Sequence, residues 1–267
     1  MKLHHTIIGA LHLAPLHGYN QFPGEEQIIA LALEDLLTFQ EGGVDAVIFE
    51  NNYDLPHHEK ISDENYQLML RVGKALKDQA SIPLGVNVLW NDYDAALRLA
   101  KELQLEFIRV PVFVDDVETS YGIFRAVGER VRDLRSELRT DNTKIFADIH
   151  VKHSKIISTH SIEASARLAI DAGADGLIVT GKWTGDSPDV QDLQRVRTEV
   201  GDFPIIVGSG ANSDNICKLF QVADAVIVST ALKEGQIDQT HTNLSEWQQR
   251  ISRTKVAQFV TAAQAKA

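Results

Sequence analysis

The sequence predicts an α/β protein, a single-domain (β/α)8 TIM barrel, and three observations predict it. Eight short apolar runs recur along 267 residues. A helical stretch stands between most successive runs, several of them with start and stop signals of their own. No long linker divides the chain, and barrels of about 250 residues ordinarily form one domain. Several runs are apolar throughout, as strands of a helix-covered parallel sheet should be.

The first run is Thr6–Leu13, and the turn after it reads Leu13-Ala14-Pro15-Leu16-His17-Gly18. A doubly wound sheet, the competing architecture, would carry a glycine-rich dinucleotide turn there. Glu25–Glu41 places Ile28, Ile29, Ala32, Leu36 and Phe39 at helical spacing and stops at Gly42-Gly43. Asp45–Glu50 is the second strand. The segment Asn51–Asp63 after it is longer than a minimal barrel needs. Leu84–Leu89 is the third strand, followed by a helix over Asp92–Lys101 that opens on an acidic cap. Glu106–Val110 is the fourth. The Arg- and Glu-rich segment Val127–Arg139 reads as a solvated helix face. Lys144–Val151 is the fifth strand, and its helix Ser161–Ala172 has Glu163 in the first turn. Gly176–Thr180 is the sixth, with a Gly/Ser/Pro-rich loop around Asp186–Asp189. Pro204–Gly208 and a helix over Ser213–Phe220 form the seventh unit, and Ala225–Val228 is the eighth strand. A C-terminal helix and tail run from about residue 243.

Composition narrows the partners. The formal net charge is -11, from 37 acidic and 26 basic residues. Such a field disfavours nucleic acid and anionic lipid, while a small anion still fits a locally positive site. Cys217 is the one cysteine, so no disulfide framework forms within the chain. No apolar run is long enough to span a membrane and no secretory signal opens the sequence. The expected location is the cytoplasm. Barrels commonly associate through their outer helices, so a symmetric homo-oligomer is expected.

The chemistry is expected among the loops after the strands. Gly208, Ser209 and Gly210 close strand seven and let backbone N–H groups approach an anion. Ser229 ends strand eight and adds a donor. Together they form the expected phosphate site, against the plain reading that Gly-Ser-Gly is a tight turn. In strand five, alternation places Asp148, His150 and Lys152 on one face and Ala147, Ile149 and Val151 on the other. The apolar set should meet the helices, sending the charged set inward. Lys152 is then an electrophile, a Schiff-base amine or a phosphate ligand. Asp148, deeper, is the group expected to keep Lys152 charged, and His153 projects over the pocket as acid or base. A structural ion-pair plug is the alternative.

Glu50 at the mouth is the general-base candidate, with Asn52 on the same face. Asn87 has inward parity on strand three, and Asp92 beyond it is most simply a helix cap. Trp90 either stacks on a ring or packs under a loop. Arg109 ends strand four, as a ligand for a carboxylate or phosphate or as a buried partner of Glu50. His12 ends strand one as a structural or a catalytic histidine, and Lys182 lies in a glycine-flanked loop as a mobile phosphate ligand or simply an exposed side chain. No cofactor is assigned. A divalent ion on Glu50, Asp148 and His12 is the alternative, but His150-x-x-His153 lacks same-face ligand spacing, so no metal is assigned either.

Several strings together carry a resemblance: Ala10-Leu11-His12-Leu13-Ala14-Pro15-Leu16-His17-Gly18, Phe49-Glu50-Asn51, Gly85-Val86-Asn87-Val88-Leu89-Trp90-Asn91-Asp92 and Phe107-Ile108-Arg109-Val110. Ala147-Asp148-Ile149-His150-Val151-Lys152-His153, Ile178-Val179-Thr180-Gly181 and Gly208-Ser209-Gly210 complete it. From about residue 6 to 233 the chain resembles the BtpA family, its enteric branch most of all. The resemblance implies the barrel and a pocket shared at the strand ends. It also implies a link to photosystem I biogenesis, known from cyanobacterial members. The family pattern would place Arg at Trp90, Asn at Pro111 and Gly at Ser229. The first two changes alter how a substrate's charge is met, and the third weakens the strand-eight half of the phosphate site.

Three functions compete. The first is an enzyme acting on a phosphorylated sugar or nucleoside-like metabolite, as lyase, isomerase or glycosidic-bond hydrolase. The second is a non-catalytic assembly factor. The third is a regulatory subunit that binds a phosphometabolite without turning it over. Fold alone does not separate them.

Overall fold

A computed structural model describes residues 3–182, 185–235 and 246–265. Strands and helices alternate along the chain: β1 (Thr6–His12), α1 (Glu25–Gly42), β2 (Ala46–Glu50), α2 (Asp63–Gln79), β3 (Leu84–Asn87), α3 (Tyr93–Leu103) and β4 (Phe107–Val110). A hairpin of β5 (Val117–Thr119) and β6 (Gly122–Phe124) precedes α4 (Gly128–Glu137), β7 (Lys144–Ile149) and the two-residue β8 (Lys155–Ile156). Then come α5 (Ile162–Asp171), β9 (Gly176–Val179), α6 (Val190–Val200), β10 (Ile205–Val207), α7 (Ile216–Leu219), β11 (Ala225–Val228) and α8 (Arg253–Gln264). Strands β1, β2, β3, β4, β7, β9, β10 and β11 close a parallel barrel in that order, with β11 returning to β1.

Each expected strand is present, with ends within two residues. The expected helix caps also act. Asp92 accepts from Ala95 N–H at 3.1 Å and Ser161 from Ala164 N–H at 3.3 Å. Helix α7 is shorter than expected and starts at Ile216. The expected boundary near 243 lies outside the described residues. Among the described residues no helix is long and apolar enough to cross a membrane.

The barrel interior is filled from one end by Ile8, Ala10, Ala46, Ile48, Phe107, Phe146, Ile178, Ile206, Ala225 and Ile227. The alternate residues of the same strands join the outer core beneath the helices. Phe107 lies across the axis because Gly85 opposes it: a Cβ there would sit 2.3 to 2.5 Å from the ring. The next inward positions, towards the strand ends, are His12, Glu50, Asn87, Arg109 and Asp148. The register sets His12 beside Glu50 and Glu50 beside Asn87. An apolar plug therefore supports one polar layer at the mouth.

Two features depart from expectation. Strand β7 stops at Ile149, because His150 and His153 take left-handed φ values of 51° and 60°. Strict alternation thus ends before Lys152. The segment after β4 is also a cover rather than a short loop: β5, β6 and β8 form a three-stranded antiparallel sheet in the order β6-β5-β8. Leu89, Trp90, Val112, Val117, Phe124 and Val151 form a small core beneath it. Trp90 packs under this cover, its ring 6.2 Å from that of Tyr121 and 6.1 Å from that of Phe124.

Candidate active site at the barrel mouth

Arg109 is the hub of the polar layer. Its Nε and Nη2 donate to the two carboxylate oxygens of Asp148, each at 2.8 Å, and its Nη1 reaches Glu50 Oε1 at 3.5 Å. The Asp148 side chain is fully buried. Burial opposes the guanidinium charge, but Asp148 and Glu50 outweigh it and hold Arg109 above its ordinary range. Asn87 Nδ2 donates to Glu50 Oε1 at 3.2 Å. The Asn87 Oδ1, on a residue 1% exposed, has no hydrogen-bond partner among the described residues.

Asp148 gives both of its oxygens to Arg109, and no ion pair within 4.0 Å joins it to Lys152 among the described residues. It still favours the charged form of Lys152 from a distance. The pairing with Arg109 takes Asp148 out of the metal set with Glu50 and His12. Among the described residues no group of three or more His, Cys, Asp or Glu side chains is arranged to hold a metal ion.

Lys152 is half-buried, and its backbone N–H donates to Thr180 Oγ1 at 2.9 Å. Burial pushes its amine down to about 8; Arg109 adds to this, while Glu50 and Asp148 oppose it. His12, at the end of β1, lies beside Glu50 of β2. Asn52 Nδ2 donates to its Nδ1 at 3.4 Å, which puts the imidazole proton on Nε2, 3.8 Å from Glu50 Oε2. Burial, then Lys233 and Lys152, hold His12 well below its ordinary value, so this imidazole is neutral. Burial likewise pushes His153 down to about 4, and its backbone N–H donates to Lys182 O at 3.2 Å.

The expected phosphate corner is divided. Gly208 faces the barrel, where a Cβ would lie 2.4 Å from Ile178 Cγ2 and 2.9 Å from Thr180 Cγ2. Ser209 Oγ accepts from Gly181 N–H at 2.9 Å and donates to Asp186 O at 2.7 Å. Gly210, at φ 69°, lies under the same loop, where a Cβ would meet Ser187 N at 2.2 Å. The Ser209 hydroxyl is therefore engaged by the loop after β9. The Lys182 side chain is exposed, and its backbone N–H donates to Asp186 Oδ2 at 2.8 Å. Ser229 is buried in the mouth, and its Oγ has no partner among the described residues.

Asparagines tie the loops together. Asn51 accepts from Leu89 N–H at 2.7 Å and donates to Leu89 O at 3.2 Å. Asn91 holds Val112 the same way, at 2.9 and 3.1 Å. His57 packs edge-on against Tyr121, with its Nδ1 buried and without a partner among the described residues. Burial pushes it down to about 4. The unfolded chain then binds a proton near pH 6.5 that the folded state refuses, so stability falls as pH drops below that value. Between pH 7 and 5 this site is expected to cost about 2 kcal/mol. Urea unfolding should show the stability gap between wild type and His57→Gln shifting by about that amount over this interval. A gap independent of pH would contradict a neutral His57.

Two residues escaped the sequence reading. Lys233, 4% exposed, follows β11 and donates from Nζ to Tyr53 Oη at 2.8 Å. Tyr53 stands in the long segment after β2, with its ring edge-on to His12 at 6.2 Å. Lys233 reads as a surface residue in Ala231-Leu232-Lys233-Glu234; its place just after the eighth strand was the available signal.

Comparisons with known proteins show the family and the fold. Residues 3–264 match the model of the BtpA family. An uncharacterized protein of Pyrococcus abyssi is 37% identical over 86% of this chain and 88% of its own length. The photosystem I biogenesis protein BtpA of Synechocystis is 32% identical over 98% of this chain and 88% of its own. The putative sgc region protein SgcQ of Escherichia coli is 30% identical over 86% of each. Among solved structures, phosphoribosyl anthranilate isomerase of Thermus thermophilus superposes with a TM-score of 0.61 at 10% identity, covering 97% of this chain and 98% of that one. That likeness shows the barrel, and the match along almost the whole sequence shows that the chain belongs to the BtpA family.

Proposed function

We propose that the chain is an enzyme acting on a phosphorylated sugar or a nucleoside-like phosphate, with its chemistry at the barrel mouth. One observation carries the reading: a lysine amine pushed down to about 8 stands within electrostatic reach of Glu50 over a buried, hydrogen-bonded polar layer. At pH 7 about a tenth of such an amine is neutral, against well under a thousandth for an ordinary lysine. The neutral amine adds to a substrate carbonyl carbon. The carbinolamine then expels water and leaves an imine that draws electrons from the neighbouring bond. Glu50 carries the proton between substrate atoms, held by Asn87 and Arg109. Isomerisation or retro-aldol cleavage follows from that arrangement. The unpartnered Asn87 Oδ1 and Ser229 Oγ are left for substrate hydroxyls. Support from architecture is general: the phosphoribosyl anthranilate isomerase shares the fold, and this fold hosts phosphate sites near its strand ends.

The name of the Synechocystis relative favours a second reading, a non-catalytic biogenesis factor. A thermal-shift panel of inorganic phosphate, pentose and hexose phosphates and nucleoside monophosphates separates the two. A ligand at about 100 times its Kd stabilises by roughly 2.7 kcal/mol, or about 5–11 °C in a chain of this size. A response to one phosphorylated sugar, followed by its turnover, supports the enzyme. Binding without turnover indicates a regulatory subunit. No response to any phosphorylated compound favours the biogenesis factor.

A further inference from the structure

Formal charges at the mouth do not balance. Glu50 and Asp148 offset Arg109 and Lys152, so those four sum to zero. Lys233 stands outside the balance. Among the described residues no carboxylate lies within 4.0 Å of it. Asp35, the acid with most influence on it, is taken by Arg250 Nη1 at 3.1 Å and Ile251 N–H at 3.0 Å. An ammonium has three donors, and among the described residues Lys233 uses one, on Tyr53 Oη. Burying an ammonium is costly unless its charge is paired and its donors are filled.

A second observation points the same way. Ser229 begins the 3-10 turn Thr230–Leu232 that leads into Lys233. It is 8% exposed, and its hydroxyl has no partner among the described residues. One short turn thus holds two buried polar groups with unused hydrogen-bonding capacity. It faces the mouth, because Lys233 holds Tyr53, whose ring stands edge-on to His12 at 6.2 Å. The alternative corner is less available: Ser209 Oγ is engaged by the loop, and Gly210 lies beneath Ser187.

We infer that Lys233, Tyr53 and Ser229 form an oxyanion subsite on the β1 side of the mouth, and that it takes the phosphate monoester of the substrate. The inference rests on the proposed function and moves the phosphate from the β10 loop to the β11 turn. Lys233 supplies charge and two donors, Ser229 a hydroxyl, and Tyr53 fixes the ammonium. The phosphate would lie beside His12, which is kept neutral and can donate from Nε2.

The test is titration calorimetry with inorganic phosphate, and with the phosphorylated sugar that responds in the panel, on wild type, Lys233→Met and Lys182→Met. Lys233→Met should weaken phosphate binding about tenfold or more, with Lys182→Met unchanged. Melting in phosphate-free buffer adds a readout that a merely structural lysine would move the other way. Lys233→Met should melt higher than wild type, because an uncompensated buried charge is gone. If Lys233→Met does not fold, Ser229→Ala and Tyr53→Phe carry the same comparison, each with an expected loss of about threefold or more. Wild-type affinity in the Lys233 variant, or loss confined to Lys182→Met, overturns the subsite and leaves the enzyme reading intact. Absence of binding by wild type to phosphate and to every phosphorylated sugar overturns both.

Discussion

Lys152→Met is expected to lower turnover of the responding substrate by at least about a thousandfold while leaving the fold intact. The size follows from the proposed mechanism: without the amine there is no covalent intermediate, and binding alone remains. The fold should survive because Lys152 is only half-buried, and its structural contact, the backbone N–H on Thr180, is kept by methionine. Stability should be unchanged or slightly higher, since an ammonium near Arg109 is removed. Borohydride reduction in the presence of substrate should add the substrate's mass to wild type and not to the variant. Activity should also rise with pH and level off above about 8, because the nucleophile is the deprotonated amine. Full activity in Lys152→Met would remove the lysine from the mechanism.

Arg109→Met is expected to destabilise the protein by about 3–5 kcal/mol, because it strands a fully buried carboxylate rather than merely losing one contact. That corresponds to roughly 6–20 °C in Tm. Asp148→Leu in the same chain should recover most of the loss, since an apolar pair of similar volume is often neutral where a broken ion pair is not. Urea denaturation of the two single variants and the double variant gives the coupling directly. A cost below about 1 kcal/mol for Arg109→Met would mean the layer is wetter than its burial indicates. The variant also bears on catalysis. Arg109 helps lower Lys152, while Glu50 and Asp148 raise it. In any folded variant that lacks Arg109, the alkaline rise of activity should move above pH 8.

The barrel was legible because its evidence is local. Strand β11 lies where a run of four apolar residues says, and α1 stops at the Gly42-Gly43 pair. Parity also placed Asn87 inward on strand three and Asp148 inward on strand five, and His12, Glu50 and Arg109 were legible as strand-end residues. The family was legible in the same strand-end strings. Helix α7 was overestimated because polar residues at its start satisfy a turn instead: Asn212 Oδ1 accepts from Asp214 N–H at 2.9 Å and from Asn215 N–H at 3.2 Å.

What the sequence by itself determined is the repeat of strand and helix, the inward side of each strand and the polar character of the mouth. These follow from periods of 2 and 3.6 residues, which are properties of a few neighbouring positions. The tertiary structure alone decided which charges meet. Arg109 could have served Glu50 first, and Asp148 could have served Lys152; closure of the barrel gave Asp148 to Arg109 across β4 and β7, 39 positions apart. It also ended the alternation at His150, laid the loop after β9 over Ser209 and Gly210, and brought Lys233 to Tyr53 from 180 positions away. Periodicity says which way a side chain faces, but a partner on another strand is set by shear and closure of the whole sheet, which no local pattern encodes.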